Sequence, residues 1–141
     1  MNSTDWRLFA VASAVFASLT AIFGKIGVTN INSNLATLIR TVVIFVVTAL
    51  IITLRSEWRV NEPVSSKSIL FLVLSGLATG GSWLCYYRAL QLGPASKVAP
   101  IDKLSLTLTL IMAFIFLNEQ FSWKTAIGGL LVAAGTVVLA L

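Results

Sequence analysis

Five long apolar runs, separated by short polar breaks, make up almost the whole chain: Trp6–Val28, Asn34–Leu54, Ile69–Leu90, Ala95–Leu117 and Trp123–Leu141. Each meets or approaches the roughly 20 residues an α-helix needs to cross a bilayer. The breaks are too short for anything but antiparallel packing of consecutive helices. The longest polar stretch, Arg55–Ser68, is only a loop, so no extramembrane domain remains. The pattern predicts an all-α membrane protein, a bundle of five transmembrane helices forming one domain over residues 1–141. The first run contains an Ala- and Ser-rich stretch, Phe9–Ala21, that imitates a secretory signal. The whole apolar run is longer than a typical signal core and lacks a strong basic start, since Asp5 precedes it beside Arg7, so it is read as retained.

Polar positions inside these runs carry the chemistry. Asp102 is the only acid within an apolar run, between two breaking residues, Pro94 and Pro100. A charge at bilayer depth costs roughly 2.5–3.5 kcal/mol on insertion scales and is a functional candidate by default. Pro100 removes one backbone hydrogen bond and frees the carbonyl of Ser96, and freed backbone in a membrane faces protein or a water-lined cavity. At about 1.5 Å per residue, Asp102 lies roughly 12 Å along the axis from Pro94. Lys103 points about 100° away on a continuous helix and neutralises it poorly. The cation is therefore sought on other helices, with Lys25, Arg40 and Arg88 as candidates.

Lys25 closes the first run and Arg40 sits at similar depth in the second, so either snorkels to the headgroups or both meet an anion. Trp83 and Tyr87 are four apart and Tyr86 is three from Trp83, which puts the rings on one helical face. They form an interfacial belt or the wall of a cavity. Gly76 and Gly80 make a GxxxG, and Gly128, Gly129 and Gly135 a small-residue stripe, both suited to helix packing within or between chains.

Composition narrows the classes. The chain is 57% hydrophobic and 11% charged, against roughly 25% charged in soluble domains. A net charge of +5 raises nucleic-acid binding, but the cations are scattered among apolar runs and form no patch, so nucleic acid is excluded. With one cysteine and no histidine, the chain has no internal disulfide, zinc site or histidine-based triad. Phosphate-cradling glycine motifs are absent too. No enzyme, cofactor or metal is expected.

Five spans put the two ends of the chain on opposite sides. One side has Arg7, Arg55, Arg59, Lys67 and Lys124 in its loops and ends, the other only Lys97, so the N-terminus is placed in the cytoplasm. Trp6, Trp58 and Trp123 form an aromatic belt at that interface. Counting every cation near each face gives five against five, which leaves insertion in both orientations open. No internal repeat is present, and alternating access commonly uses two repeats around a midplane site. A homodimer, parallel or antiparallel, would supply the second.

Several stretches resemble the EamA domain of the drug/metabolite transporter superfamily: Phe23-Gly24-Lys25, Arg40, Tyr86–Ser105 (YYRALQLGPASKVAPIDKLS), Leu117-Asn118-Glu119, and Ile127-Gly128 through Gly135. The resemblance spans nearly the whole chain and is most specific in its middle stretch. It implies a secondary transporter or exporter of small polar metabolites in an inner membrane. Many members carry two such five-helix domains, inverted, in one chain, so this sequence resembles the single-domain form, half of a ten-helix transporter. Glu119 matches the acid that commonly follows the fourth helix, and is read as a cap or dipole partner.

Two readings follow. In the first the chain transports a small molecule, with Asp102 as coupling or substrate carboxylate. Lys25, Arg40, Arg88 and Lys103 balance it or meet an anion, and Trp83 and Tyr87 form the wall. In the second it is a non-transporting accessory or scaffold protein of the bilayer, whose buried charges fix helix register.

Overall fold

The computed structural model describes residues 5–59, 63–120 and 122–141. These residues form helices α1 (Asp5–Gly27), α2 (Ser33–Leu54), α3 (Ser66–Leu92), α4 (Ala95–Asp102), α5 (Leu104–Leu117) and α6 (Trp123–Ala140), and no strand. With α4 and α5 taken as one apolar stretch, five helices are long and apolar enough to cross a membrane. Part of the loop between α2 and α3, residues 60–62, lies outside the described residues.

The helix ends follow local chemistry that the apolar runs alone do not specify. Asn32, in the Asn-rich turn after α1, caps α2: its side chain accepts from the Asn34 N–H at 2.8 Å. That satisfies one of the donors a helix start leaves unpaired. Helix α3 begins three residues earlier than the apolar run, because the Ser65 hydroxyl accepts from the Ser68 N–H at 3.1 Å and the Ser65 carbonyl starts the ladder. At the end of α5, Asn118 adopts a left-handed conformation (φ 52°), the usual way a helix stops on asparagine. The cap of α6 is Ser122, whose side chain accepts from the Lys124 N–H at 3.3 Å. Glu119, expected as a cap or dipole partner, is exposed and contributes only its backbone N–H, to Ala113 O at 3.4 Å. We expect Ser122→Ala to cost α6 about 1 kcal/mol, measurable by unfolding in detergent, and Glu119→Gln to cost nothing detectable.

The fourth apolar run is not one helix. Pro94 stands at the N-cap of α4 in extended conformation, and its carbonyl receives the N–H groups of both Lys97 and Val98 at 3.0 Å. Pro100 lies inside α4, and the helix ends two residues later at Asp102. Around the break the ladder tightens to three-residue spacing, Lys103 N–H to Pro100 O at 2.9 Å and Leu106 N–H to Lys103 O at 3.0 Å. The proline cannot donate to the carbonyl four residues back, so the chain rewinds before α5 begins.

The chain divides into two compact units. One holds Gly24–Gln91; the other holds the described residues up to Phe23 together with Leu92–Leu141. In the second unit α6 packs against both α4 and α5. Gly129 makes this close: a β-carbon there would stand 2.9 Å from Leu110 Cδ1, and its carbonyl accepts the Thr107 hydroxyl at 3.1 Å. Lys97 of α4 reaches the end of α6, with Nζ 3.0 Å from Leu141 O and 3.3 Å from Ala140 O. A cation on the last carbonyls of a helix meets both its unpaired acceptors and its dipole. Thr136, within the small-residue stripe, is buried. Because only the tip of Leu110 opposes it, we expect Gly129→Ala to destabilise by about 1 kcal/mol, the low end for overpacking, read as a lowered unfolding midpoint.

The other glycines of the two stripes behave differently. Nothing described in their own unit comes within 4 Å of where a β-carbon would stand at Gly76, Gly80, Gly128 or Gly135. Among the described residues of their own unit these faces are open.

Candidate functional site

In the Gly24–Gln91 unit the end of α1, the start of α2 and the end of α3 converge. Its core is small: Val28 and Leu90 are fully buried, with Ser33, Ala36, Thr37 and Tyr87 nearly so. Gly24 brings α1 onto α3, since a β-carbon there would lie 3.3 Å from Tyr87 Oη and 3.4 Å from Leu90 Cδ1. A side chain would hold the two helices apart.

That closeness carries Lys25 to the C-terminal end of α3, where its Nζ donates to Leu90 O at 2.5 Å. Lys25 therefore caps a helix and does not simply snorkel to the headgroups. Beside it, Gln91 Nε2 donates to Ile31 O at 2.9 Å and Gln91 Oε1 accepts from Arg88 Nη1 at 2.7 Å. These bonds tie the α1–α2 turn to the end of α3. Arg88 is thus bound into a polar seam rather than aimed inward.

Behind the seam lies an aromatic cluster. Trp83 and Tyr86 meet edge to face at 5.4 Å, Trp83 and Tyr87 at 5.8 Å, and Tyr86 and Tyr87 at 6.5 Å. The Arg40 guanidinium lies over the Trp83 ring, its Cζ 3.2 Å from the ring centre. Both residues are only part-buried, which puts the contact between the 0.5–1 kcal/mol of an exposed cation–π pair and the roughly 2 of a desolvated one. The rings thus form one cluster with a cation stacked on it. The tryptophans of the expected belt are elsewhere: Trp6, Trp58 and Trp123 are all more than 60% exposed and lie at or just beyond helix ends.

Asp102 and Lys103 belong to the other unit. Asp102 is the last residue of α4, and its Oδ2 lies 3.5 Å from Lys103 Nζ. The 100° argument against this contact assumed a continuous helix; α4 ends between the two residues, which frees Lys103 to fold back. Neither partner is enclosed, with side chains 37% and 50% exposed. The same unit has an apolar groove of about 420 Å³ between α5 and α6, walled by Leu110, Ile111 and Phe114 on one side and Ala126, Leu130 and Ala133 on the other. No group of three or more potential metal ligands occurs among the described residues.

Sequence reasoning singled out Lys25, Arg40, Trp83, Tyr87 and Arg88, and the structure brings all five into one unit. It missed Gln91, whose position three residues after Arg88 was the available signal. It also missed that Gly24 sets the spacing of α1 and α3.

Comparison with known proteins agrees with this architecture. Residues 5–141 match the EamA-like transporter family. An uncharacterized transporter in the cobO 3′ region of a Sinorhizobium species is 49% identical over 138 residues, covering 98% of both chains. Human solute carrier family 35 member G1 is 31% identical over 129 residues, covering 91% of this chain but only 34% of its own length. No solved structure matches the chain significantly.

Proposed function

The chain belongs to the EamA-like transporter family, and from that premise we propose that it is a secondary transporter or exporter of a small polar metabolite across the inner membrane. It would act as a homodimer, without catalytic activity, with Asp102 as substrate or coupling carboxylate and the Arg40–Trp83–Tyr87 cluster as wall. The observation that carries this reading is the fourth span. It breaks at Lys103, and the only acid within an apolar run stands at the edge of the break. Broken helices with freed backbone line cavities in transporters.

Two further features support a unit larger than one chain. The human relative is about three times as long as the segment it shares, whereas the Sinorhizobium relative has the same length as this chain. Gly76, Gly80, Gly128 and Gly135 offer close approach that no described residue of their own unit uses, and a partner helix is the natural occupant of such faces. The loop cations favour a cytoplasmic N-terminus.

The test is flux in proteoliposomes carrying the purified protein, screened with a metabolite mixture under an imposed proton gradient. We expect concentrative movement of at least one polar solute. Chains cross-linked through single cysteines at positions 76 or 80, in a Cys85→Ser background, should run as dimers. Gradient-independent, solute-blind vesicles would sink the proposal. Paired reporters fused to the end of the chain should show that end outside the cytoplasm.

A further inference from the structure

The Gly24–Gln91 unit has a charge imbalance inside its helical part. Residues 24–54 and 66–91 carry Lys25, Arg40, Lys67 and Arg88 and not one acid. Lys67 lies in the first turn of α3, at the opposite end of that helix from the cluster. Lys25 is engaged on the Leu90 carbonyl and Arg88 on Gln91. Arg40 is different. It lies roughly two turns into α2 at 3.6 residues per turn, one face of its guanidinium is covered by Trp83, and no described residue accepts a hydrogen bond from its edge. The edge of a guanidinium is a planar fork of N–H donors, and stacking on a ring leaves that fork directed past the ring. Beside it, the Tyr87 hydroxyl also accepts and donates no hydrogen bond among the described residues, and Tyr87 as a whole is buried.

We infer that Arg40 is the point at which the transported molecule is held by a carboxylate, its two oxygens on the guanidinium fork and a neighbouring polar group on Tyr87. This rests on the transporter reading above and gives its substrate a chemical class. Two features select a monocarboxylate. The fork pairs with two oxygens of one oxyanion, a carboxylate or a phosphate, in a way an ammonium cannot. One uncommitted cation also balances one negative charge, whereas a phosphate monoester carries about −1.5 to −2 at neutral pH and calls for a second. Trp83 holds the guanidinium in place before the ligand arrives, so less side-chain freedom is lost on binding.

The test uses the full chain in lipid nanodiscs, with Trp6, Trp58 and Trp123 replaced by Phe so that Trp83 alone fluoresces. The probes are benzoate, benzamide and phenyl phosphate. Benzoate should change Trp83 emission saturably. Benzamide, of the same shape but without charge, should bind roughly ten- to hundredfold more weakly, the range for losing a hydrogen bond to a charged group. Arg40→Gln should abolish the preference for benzoate over benzamide, and Arg40→Lys should restore only part of it. Unfolding midpoints of both variants verify that they are folded. The inference is overturned if benzoate gives no saturable response, if it binds the Gln variant as it binds the parent, or if phenyl phosphate binds more tightly. Because binding is read without flux, any of these results leaves the transporter reading to its own proteoliposome test. Absence of flux with benzoate bound as expected would remove that reading and keep the anion site.

Discussion

Gly24→Val is expected to unfold the end of the α1–α3 contact and to abolish flux, although residue 24 carries no chemistry of its own. The β-carbon would stand 3.3 Å from Tyr87 Oη and 3.4 Å from both Tyr87 Cζ and Leu90 Cδ1. Alanine already requires those atoms to yield by a few tenths of an ångström. Valine adds two γ-methyls with little choice of rotamer in a helix. Overpacking of this kind costs about 1–3 kcal/mol, and here neither neighbour yields easily. Leu90 is fully buried, with its carbonyl engaged by Lys25. Tyr87 is wedged against Trp83 at 5.8 Å, and Trp83 holds Arg40. The displacement thus passes from Gly24 through Tyr87 and Trp83 to the guanidinium in three contacts. A lowered unfolding midpoint and lost benzoate binding should appear together. The double-mutant cycle is sharper. Tyr87→Phe removes the oxygen nearest the new β-carbon, so Gly24→Ala should cost less in that background than in the parent. Strict additivity would show that Gly24 and Tyr87 do not meet as described.

The same contact shows what the sequence made legible. The five spans could be read from apolar runs because their length is set by the bilayer, and the structure keeps five such helices. Aromatic spacing put Trp83, Tyr86 and Tyr87 on one face, since that depends only on helical period. What failed depended on where helices end or on what lies across from them. Asp102 and Lys103 were held apart by a helix assumed to continue past Pro100. Spacing shows that the glycines of the GxxxG share a face, and not what covers it. Gly24, which is not part of a GxxxG, is the glycine that brings α1 onto α3, and Lys25 fell on a helix end that only the fold supplies. Boundary chemistry at Asn32, Ser65 and Ser122 was visible in residue type but hidden by the apolar pattern, which says where a helix is buried rather than where its first N–H is satisfied.

Asp102→Asn separates the two functional readings most cleanly, and the geometry makes the expected outcome specific. The substitution keeps the shape of the side chain and removes its charge. Among the described residues Asp102 has a single ion-pair partner, Lys103 at 3.5 Å, and both side chains are more than a third exposed. Nothing described encloses the pair, so the Asn variant should fold, insert and dimerise like the parent, with an unfolding midpoint barely changed. A buried register lock would respond otherwise, since removing one partner of an enclosed pair costs about 3–5 kcal/mol. If Asp102 is the substrate or coupling carboxylate, the folded variant should lose most of its flux in proteoliposomes, or keep downhill flux while losing its response to an imposed proton gradient. Lys103→Gln breaks the same ion pair from the other side and serves as the control. It should match Asp102→Asn in stability and retain far more transport. Equal losses of flux from both variants would assign the activity to the pair as a structural unit. A large loss of folded dimer in Asp102→Asn, with no flux in the parent, would return the chain to the scaffold reading.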